Sequence, residues 1–313
     1  MGGARGPVRK TGPSVAALGG AVFGSALLFV AIARSGTPAA PATIRPLADD
    51  TSGFADAQPV AIVGYLGDAM EPFLPPDGRH LLFNDSNAPG RDTNLHVARR
   101  VDGLTFAYRG ALAGANSTAL DGVASVDRKG RLVFVSTRSY GTTLSTLYEG
   151  RFAAGRATRI KLLGGISRRE PGWVNFDAEI SADGATLYFV DGFFGAGAVP
   201  ERADIVVARK VGSGFARLAN SAELLAEVNS EALEYAPCTS ADQRELFFTR
   251  LDAGGVPRIL RATRQSRGEP FGPPELVAAA EGFVEAPTLS PDGTALYFHR
   301  LDDGVFRIFR ATR

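Results

Sequence analysis

This chain has very little cysteine, histidine, methionine or tryptophan: one Cys, three His, two Met and one Trp in 313 residues. A single Cys excludes an internal disulfide and any zinc site built on several thiolates. Three His leave little for a His-rich metal centre, and His80, His96 and His299 show no His-x-x-x-His spacing. Net charge is also small, with 34 basic against 33 acidic residues, which excludes a general polyanion binder, so no nucleic-acid partner is expected. There is no Gly-x-Ser-x-Gly elbow and no phosphate-cradling loop. Cys238 lies in an apolar run and reads as a buried small hydrophobe, with no base beside it to make it a nucleophile. The apolar fraction of 45% excludes a disordered chain and supplies a sizeable core.

Charge is missing from one stretch in particular. Arg5, Arg9 and Lys10 precede an uncharged run from Ser14 to Ala33 that ends in Ala31-Ile32-Ala33. Residues 1–33 therefore read as a secretory signal cleaved after Ala33, or as an uncleaved membrane anchor of the same length. Either places the remainder outside the cytoplasm, periplasmic or extracellular, with membrane contact only through this segment. No Cys follows the run, which excludes a lipoprotein anchor. Residues 34–51 are rich in Pro, Ala and Thr and read as a tether.

Residues 52–313 are a repeat. The clearest copies are Ser181-Ala182-Asp183-Gly184-Ala185-Thr186-Leu187-Tyr188-Phe189 and Ser290-Pro291-Asp292-Gly293-Thr294-Ala295-Leu296-Tyr297-Phe298. Further copies centre on Asp77 and Asp242, and a degenerate one, a residue short, on Lys129. The anchors recur at roughly 50–60 residues, the size of one four-stranded propeller blade with its loops. In each copy the Asp-Gly pair sets a tight turn between two strands, because Gly tolerates positive φ and Asp bonds its own backbone. A third run ends in a small residue and Arg, as in Ile205-Val206-Val207-Ala208-Arg209, and a polar fourth run follows in the first four copies. The fifth copy stops at Arg313 without a fourth run, and Gly53–Ile62 resembles the fourth run Gly268–Val277. The expected fold is an all-β, five-bladed propeller whose last blade is closed by an N-terminal strand.

The pattern acid-x-x-x-Ser-x-Asp-Gly-x-x-Leu-Tyr-Phe resembles the PD40 (WD40-like) repeats of TolB-type propellers, and Asn229–Pro237 is similar to the lead-in to such repeats. The resemblance covers the whole of 52–313. It implies an exported, non-catalytic binding scaffold of the cell envelope with a protein or peptide partner.

Glu71, Asp121, Asp177, Glu234 and Glu285 recur ahead of the inner-strand turns, and inner strands line a propeller's axis. Crowded at one mouth, these carboxylates suit a hard cation such as Ca²⁺ or a basic peptide. The alternative is that each bonds backbone N–H groups and locks blades together. They also open a second functional reading, a carbohydrate-active hydrolase working with two central carboxylates. Loop 192–202 interrupts the third copy and carries Phe193 and Phe194, which form either a contact surface or a fold-back onto the blade. Trp173 precedes the third inner strand, where it suits either ligand binding at the mouth or inter-blade packing. Asn116-Ser117-Thr118 matches a glycosylation acceptor.

Overall fold

The computed structural model describes residues 49–86, 92–195 and 199–313. Residues 1–33, read above as an export signal or anchor, most of residues 34–51 and part of loop 192–202 lie outside them. Two strands lead in, β1 (Ala55–Pro59) and β2 (Ala61–Val63). Blade 1 follows with β3 (Met70–Phe73), β4 (His80–Asn84), β5 (Leu95–Arg100) and β6 (Thr105–Ala111). Blade 2 holds β7 (Asp121–Val126), β8 (Arg131–Ser136), β9 (Leu147–Ala153) and β10 (Arg156–Leu162). Blade 3 is β11 (Trp173–Ile180), β12 (Thr186–Phe193), β13 (Arg202–Val211) and β14 (Gly214–Arg217). Blade 4 is β15 (Leu233–Thr239), β16 (Glu245–Leu251), β17 (Arg258–Thr263) and β18 (Glu275–Leu276). Blade 5 has β19 (Val284–Leu289), β20 (Ala295–Asp302) and β21 (Val305–Thr312), with β1 antiparallel to β21 as its outer strand.

The fold is thus the expected five-bladed propeller closed by its N-terminal strand. The lead-in does more than close blade 5. Just past β1, the Val60 N–H donates to Ile308 O of blade 5 and the Ala61 N–H to Leu104 O of blade 1. β2 then runs parallel to β6 as a fifth strand of blade 1. One short segment therefore ties the first blade to the last. Arg313 adds a bidentate pair from blade 5 to Glu245 of blade 4, at 2.8 and 2.7 Å.

The second strand of each blade is buried on both faces, which is why Leu-Tyr-Phe is apolar throughout rather than alternating. Successive side chains point to opposite neighbours. Phe298 packs with Cys238 and Phe247 of blade 4, whereas Tyr297 packs with Leu81 and Phe83 of blade 1. The core is therefore a set of apolar layers between blades rather than a central mass.

The turns follow one scheme. Ser181 Oγ donates to Asp183 Oδ1 (2.7 Å), which accepts the Ala185 N–H, and Gly184 sits at φ 72°. Ser240/Asp242 and Ser290/Asp292 repeat this, with Gln243 at φ 58° in place of Gly. Blade 2 lacks both Ser and the aligned Asp, yet Asp127 at the Ser position accepts the Lys129 and Arg131 N–H groups, both at 2.8 Å. Gly184 also abuts the Asp127 carboxylate, whereas Gly293 has only Arg313 Nη2 within reach, at 3.8 Å. Gly293→Ala should therefore cost about 1–2 kcal/mol, the left-handed backbone penalty alone. Gly184→Ala should cost about 2–4 kcal/mol, because overpacking adds to that penalty. Urea unfolding of the two variants checks the order.

Candidate functional site

Each inner strand carries a β-bulge, and each bulge holds a non-glycine residue in the left-handed region: Glu71, Val123, Asp177, Ala236 and Ala286, at φ 48–55°. Bulges re-aim side chains at the cost of ladder bonds. These five residues ring the axis around a throat of about 30 Å³, together with Glu179 and Pro72, Pro237 and Pro287. On the side of the Asp-Gly turns the channel opens into a vestibule of about 890 Å³. Its floor is the ring Phe73, Glu179, Cys238 and Thr288, and its rim carries both signs of charge, including Asp77, Arg128, Lys129, Asp242, Asp292 and Arg313.

The five acidic candidates do not form one ring. Aligned on the turns, Glu71 and Asp177 share the bulge position, Glu285 precedes it by one residue, and Asp121 and Glu234 precede it by two. Asp121 and Glu234 are structural. Ser117 donates its N–H and Oγ to Asp121 and Ser230 does the same for Glu234, while Arg138 and Arg250 pair with the two carboxylates at 2.5 and 2.7 Å. Just upstream, the Asn116 amide both donates to and accepts from the Leu95 backbone at 2.9 Å, and Asn229 does likewise with Ile205. The Asn-Ser lead-in is thus a latch onto the preceding blade, and the Asn116 amide of the acceptor motif is engaged at both its oxygen and its nitrogen.

Glu285 belongs to a buried polar cluster. The Glu71 backbone N–H donates to His299 Nδ1 (3.1 Å), so the ring proton sits on Nε2 and is donated to Glu285 Oε2 (3.1 Å). The Tyr235 hydroxyl donates to Glu285 Oε1 (2.5 Å). Burial, with Glu285 beside it, pushes the Tyr235 phenol well above its ordinary range.

Asp177 and Glu179 differ from the rest. Asp177 Oδ2 accepts the Ala236 N–H (3.0 Å), and Oδ1 has no partner among the described residues. Desolvation, reinforced by Glu285, lifts its pKa to about 7. Among the described residues Glu179 accepts the Ser125 hydroxyl (2.7 Å) and the Thr239 N–H, and desolvation lifts it to about 8. Sequence reasoning missed Glu179, two residues beyond Asp177 on the same strand. Aligning the inner strands backward from each anchor would have placed it at the floor with Ser125, Cys238 and Thr288. Among the described residues no three His, Cys, Asp or Glu side chains converge as a metal-binding group.

The aromatic candidates lie at the other end of β11 and β12 from the vestibule. β12 continues through Phe193, which pairs with Trp173 and packs its ring at 5.3 Å. Phe194 is 2% exposed, against Phe176, and its N–H donates to Gly172 O. Strand pairing therefore continues into the predicted loop, and Phe194 is not a surface residue. Trp173 is half-buried beneath Arg168, at 4.1 Å.

No protein-family model matches the chain, and no curated protein matches it. Solved structures do. A glycoside hydrolase superposes with a TM-score of 0.58 at 11% sequence identity, over 83% of this chain and 91% of that one. An endo-arabinase from Bacteroides thetaiotaomicron VPI-5482 gives 0.53 at 14% identity, over 82% and 97%. TolB from Acinetobacter baumannii gives 0.46 at 13% identity, over 79% of this chain and 55% of that one, so the chain spans about half the length of that TolB. At these identities the likeness is one of fold.

Proposed function

We propose that the chain is an exported, TolB-like binding propeller, without catalytic activity, that takes part of a protein partner into the turn-side vestibule. The observation that carries this reading is the vestibule itself, whose 890 Å³ lies in the range of built ligand sites and whose rim offers mixed charge around a partly apolar floor. The PD40-like repeat and the uncharged run of residues 14–33 support the TolB-like and exported parts. A glycosidase would need a sugar ring between one ionised and one protonated carboxylate. Here Asp177 and Glu179 are both shifted upward, and the throat beside Asp177 has about the volume of one water.

The test is affinity capture from the source envelope with wild type, Ala241→Trp and Phe193→Ala as baits. Ala241 is an exposed vestibule residue, while Phe193 lies at the opposite face. The expected result is a specific partner lost with Ala241→Trp and kept with Phe193→Ala, both variants melting close to wild type. The reverse pattern would move the site to the other face.

A further inference from the structure

Among the described residues, no Lys, Arg or His lines the throat. Four buried carboxylates of the fold are matched by arginines, Asp121 by Arg138, Asp191 by Arg217 and Arg168, Glu234 by Arg250, and Glu275 by Arg261, while Asp127 and Glu285 take backbone N–H groups or the Tyr235 and His299 side chains. Asp177 and Glu179 have only neutral donors among the described residues. The ionisable groups that interact with them are acids: Glu285 and Tyr235 with Asp177, and Cys238 with Glu179, while Glu71 lines the same throat. His299 is engaged with Glu285 and the Glu71 N–H. The cations Arg128, Lys129, Arg151 and Arg313 line the vestibule, and Arg313 is already paired with Glu245. Asp177 is 3% exposed, and its partnerless Oδ1 belongs to a residue that lines the 30 Å³ void.

We propose that this void receives a primary ammonium group, carried on a lysine side chain of the partner segment that enters the vestibule. The proposal rests on the vestibule reading and names what it recognises. An ammonium has about the size of the water such a void admits, whereas a guanidinium or a sugar ring is larger. Phe73, Ile180 and Leu289 above the throat supply apolar wall for the lysine stem, with the charged head beyond them. The ammonium would donate to Asp177 Oδ1 and Glu179, satisfying an acceptor the fold leaves open. Such binding requires an ionised carboxylate. Because burial holds Asp177 and Glu179 protonated toward pH 7–8, an entering cation expels a proton.

Calorimetry on the full chain tests this with three capped peptides, acetyl-Gly-Gly-X-Gly-Gly-amide, where X is lysine, norleucine or arginine. Each is titrated at pH 6.0, 7.0 and 8.5 in two buffers of different ionisation enthalpy. The lysine peptide should bind at least about tenfold more tightly than the other two, equivalent to about 1.4 kcal/mol. Its affinity should rise from pH 6.0 to 8.5, with release of up to about one proton per peptide at pH 7.0. Asp177→Asn should reduce it to the norleucine level, and Asn keeps the shape and tolerates the left-handed backbone. Equal binding of the lysine and norleucine peptides, or no lysine-peptide binding at millimolar concentration, overturns the ammonium assignment. If envelope-partner capture stays sensitive to Ala241→Trp in that case, the vestibule reading survives alone. Lysine-peptide binding insensitive to both Asp177→Asn and Glu179→Gln overturns the throat as its location.

Discussion

Glu234→Ala should destabilise the fold by about 3–5 kcal/mol, the cost of leaving a buried charge unpaired. Glu234 is fully buried. One carboxylate oxygen accepts Ser230 Oγ (2.6 Å) and Arg250 Nε (2.7 Å), and the other accepts the Ser230 N–H (3.0 Å). Truncation strands the Arg250 guanidinium, itself buried, and leaves it bonded to the Val228 carbonyl, which carries no full charge to match it. For a domain worth about 5–15 kcal/mol, that is a large share of its stability. Desolvation lifts the Glu234 pKa even though Ser230 and Arg250 pull it down, so the pair's net worth over an apolar substitute is small. Glu234→Leu combined with Arg250→Met should accordingly recover most of the loss. Asp121→Ala should cost less, because Arg138 is 24% exposed and can turn to solvent. Urea unfolding of the single and double variants checks all three. A Glu234→Ala variant as stable as wild type that loses a ligand instead would sink the structural assignment.

That assignment shows what the sequence carries and what it hides. The turns are legible because their chemistry is local: Ser181, Asp183 and Gly184 complete their bonds within a few residues, so the copies look alike wherever they recur. The closing strand is legible because β21 needs an outer partner and 53–62 carries the matching run. The roles of the acids are not legible, because the inner-strand bulge inserts a residue that no local motif announces. A shift of one or two positions separates a latch acid such as Glu234 from a throat acid such as Asp177, although both precede the same turn. Glu179 is hidden for a related reason. Its neighbours Ala178 and Ile180 are buried, and its own side chain meets the channel only because five strands converge there. Phe194 misled in the opposite direction, since a Gly-flanked aromatic pair reads as a loop until strand pairing is seen to run through Phe193.

Asp177→Asn should stabilise the protein, and the gain should grow with pH. The Asp177 carboxyl titrates near 3.8 when exposed and near 7 in the fold, because burial disfavours its charge and Glu285 adds repulsion. Between those values the unfolded chain has lost the proton and the folded chain keeps it. The unfolded state then binds fewer protons, so stability falls as pH rises through this window and levels off above about 7. Glu179 acts the same way from 4.5 to about 8. The paired surface acids Asp183, Asp242 and Asp292 have lowered values and act with the opposite sign, chiefly below pH 4, where their stabilisation is lost on protonation. Comparing Asp177→Asn with wild type cancels them. The difference should be close to zero near pH 4 and reach roughly 2–4 kcal/mol at pH 8.5, since each tenfold change in proton affinity on folding is worth about 1.4 kcal/mol and the site relaxes somewhat once charged. Urea unfolding of both proteins at half-unit steps from pH 4 to 8.5 measures it. A difference independent of pH would mean that Asp177 is ionised and matched in the native state, and that the throat holds no open acceptor for a ligand to satisfy.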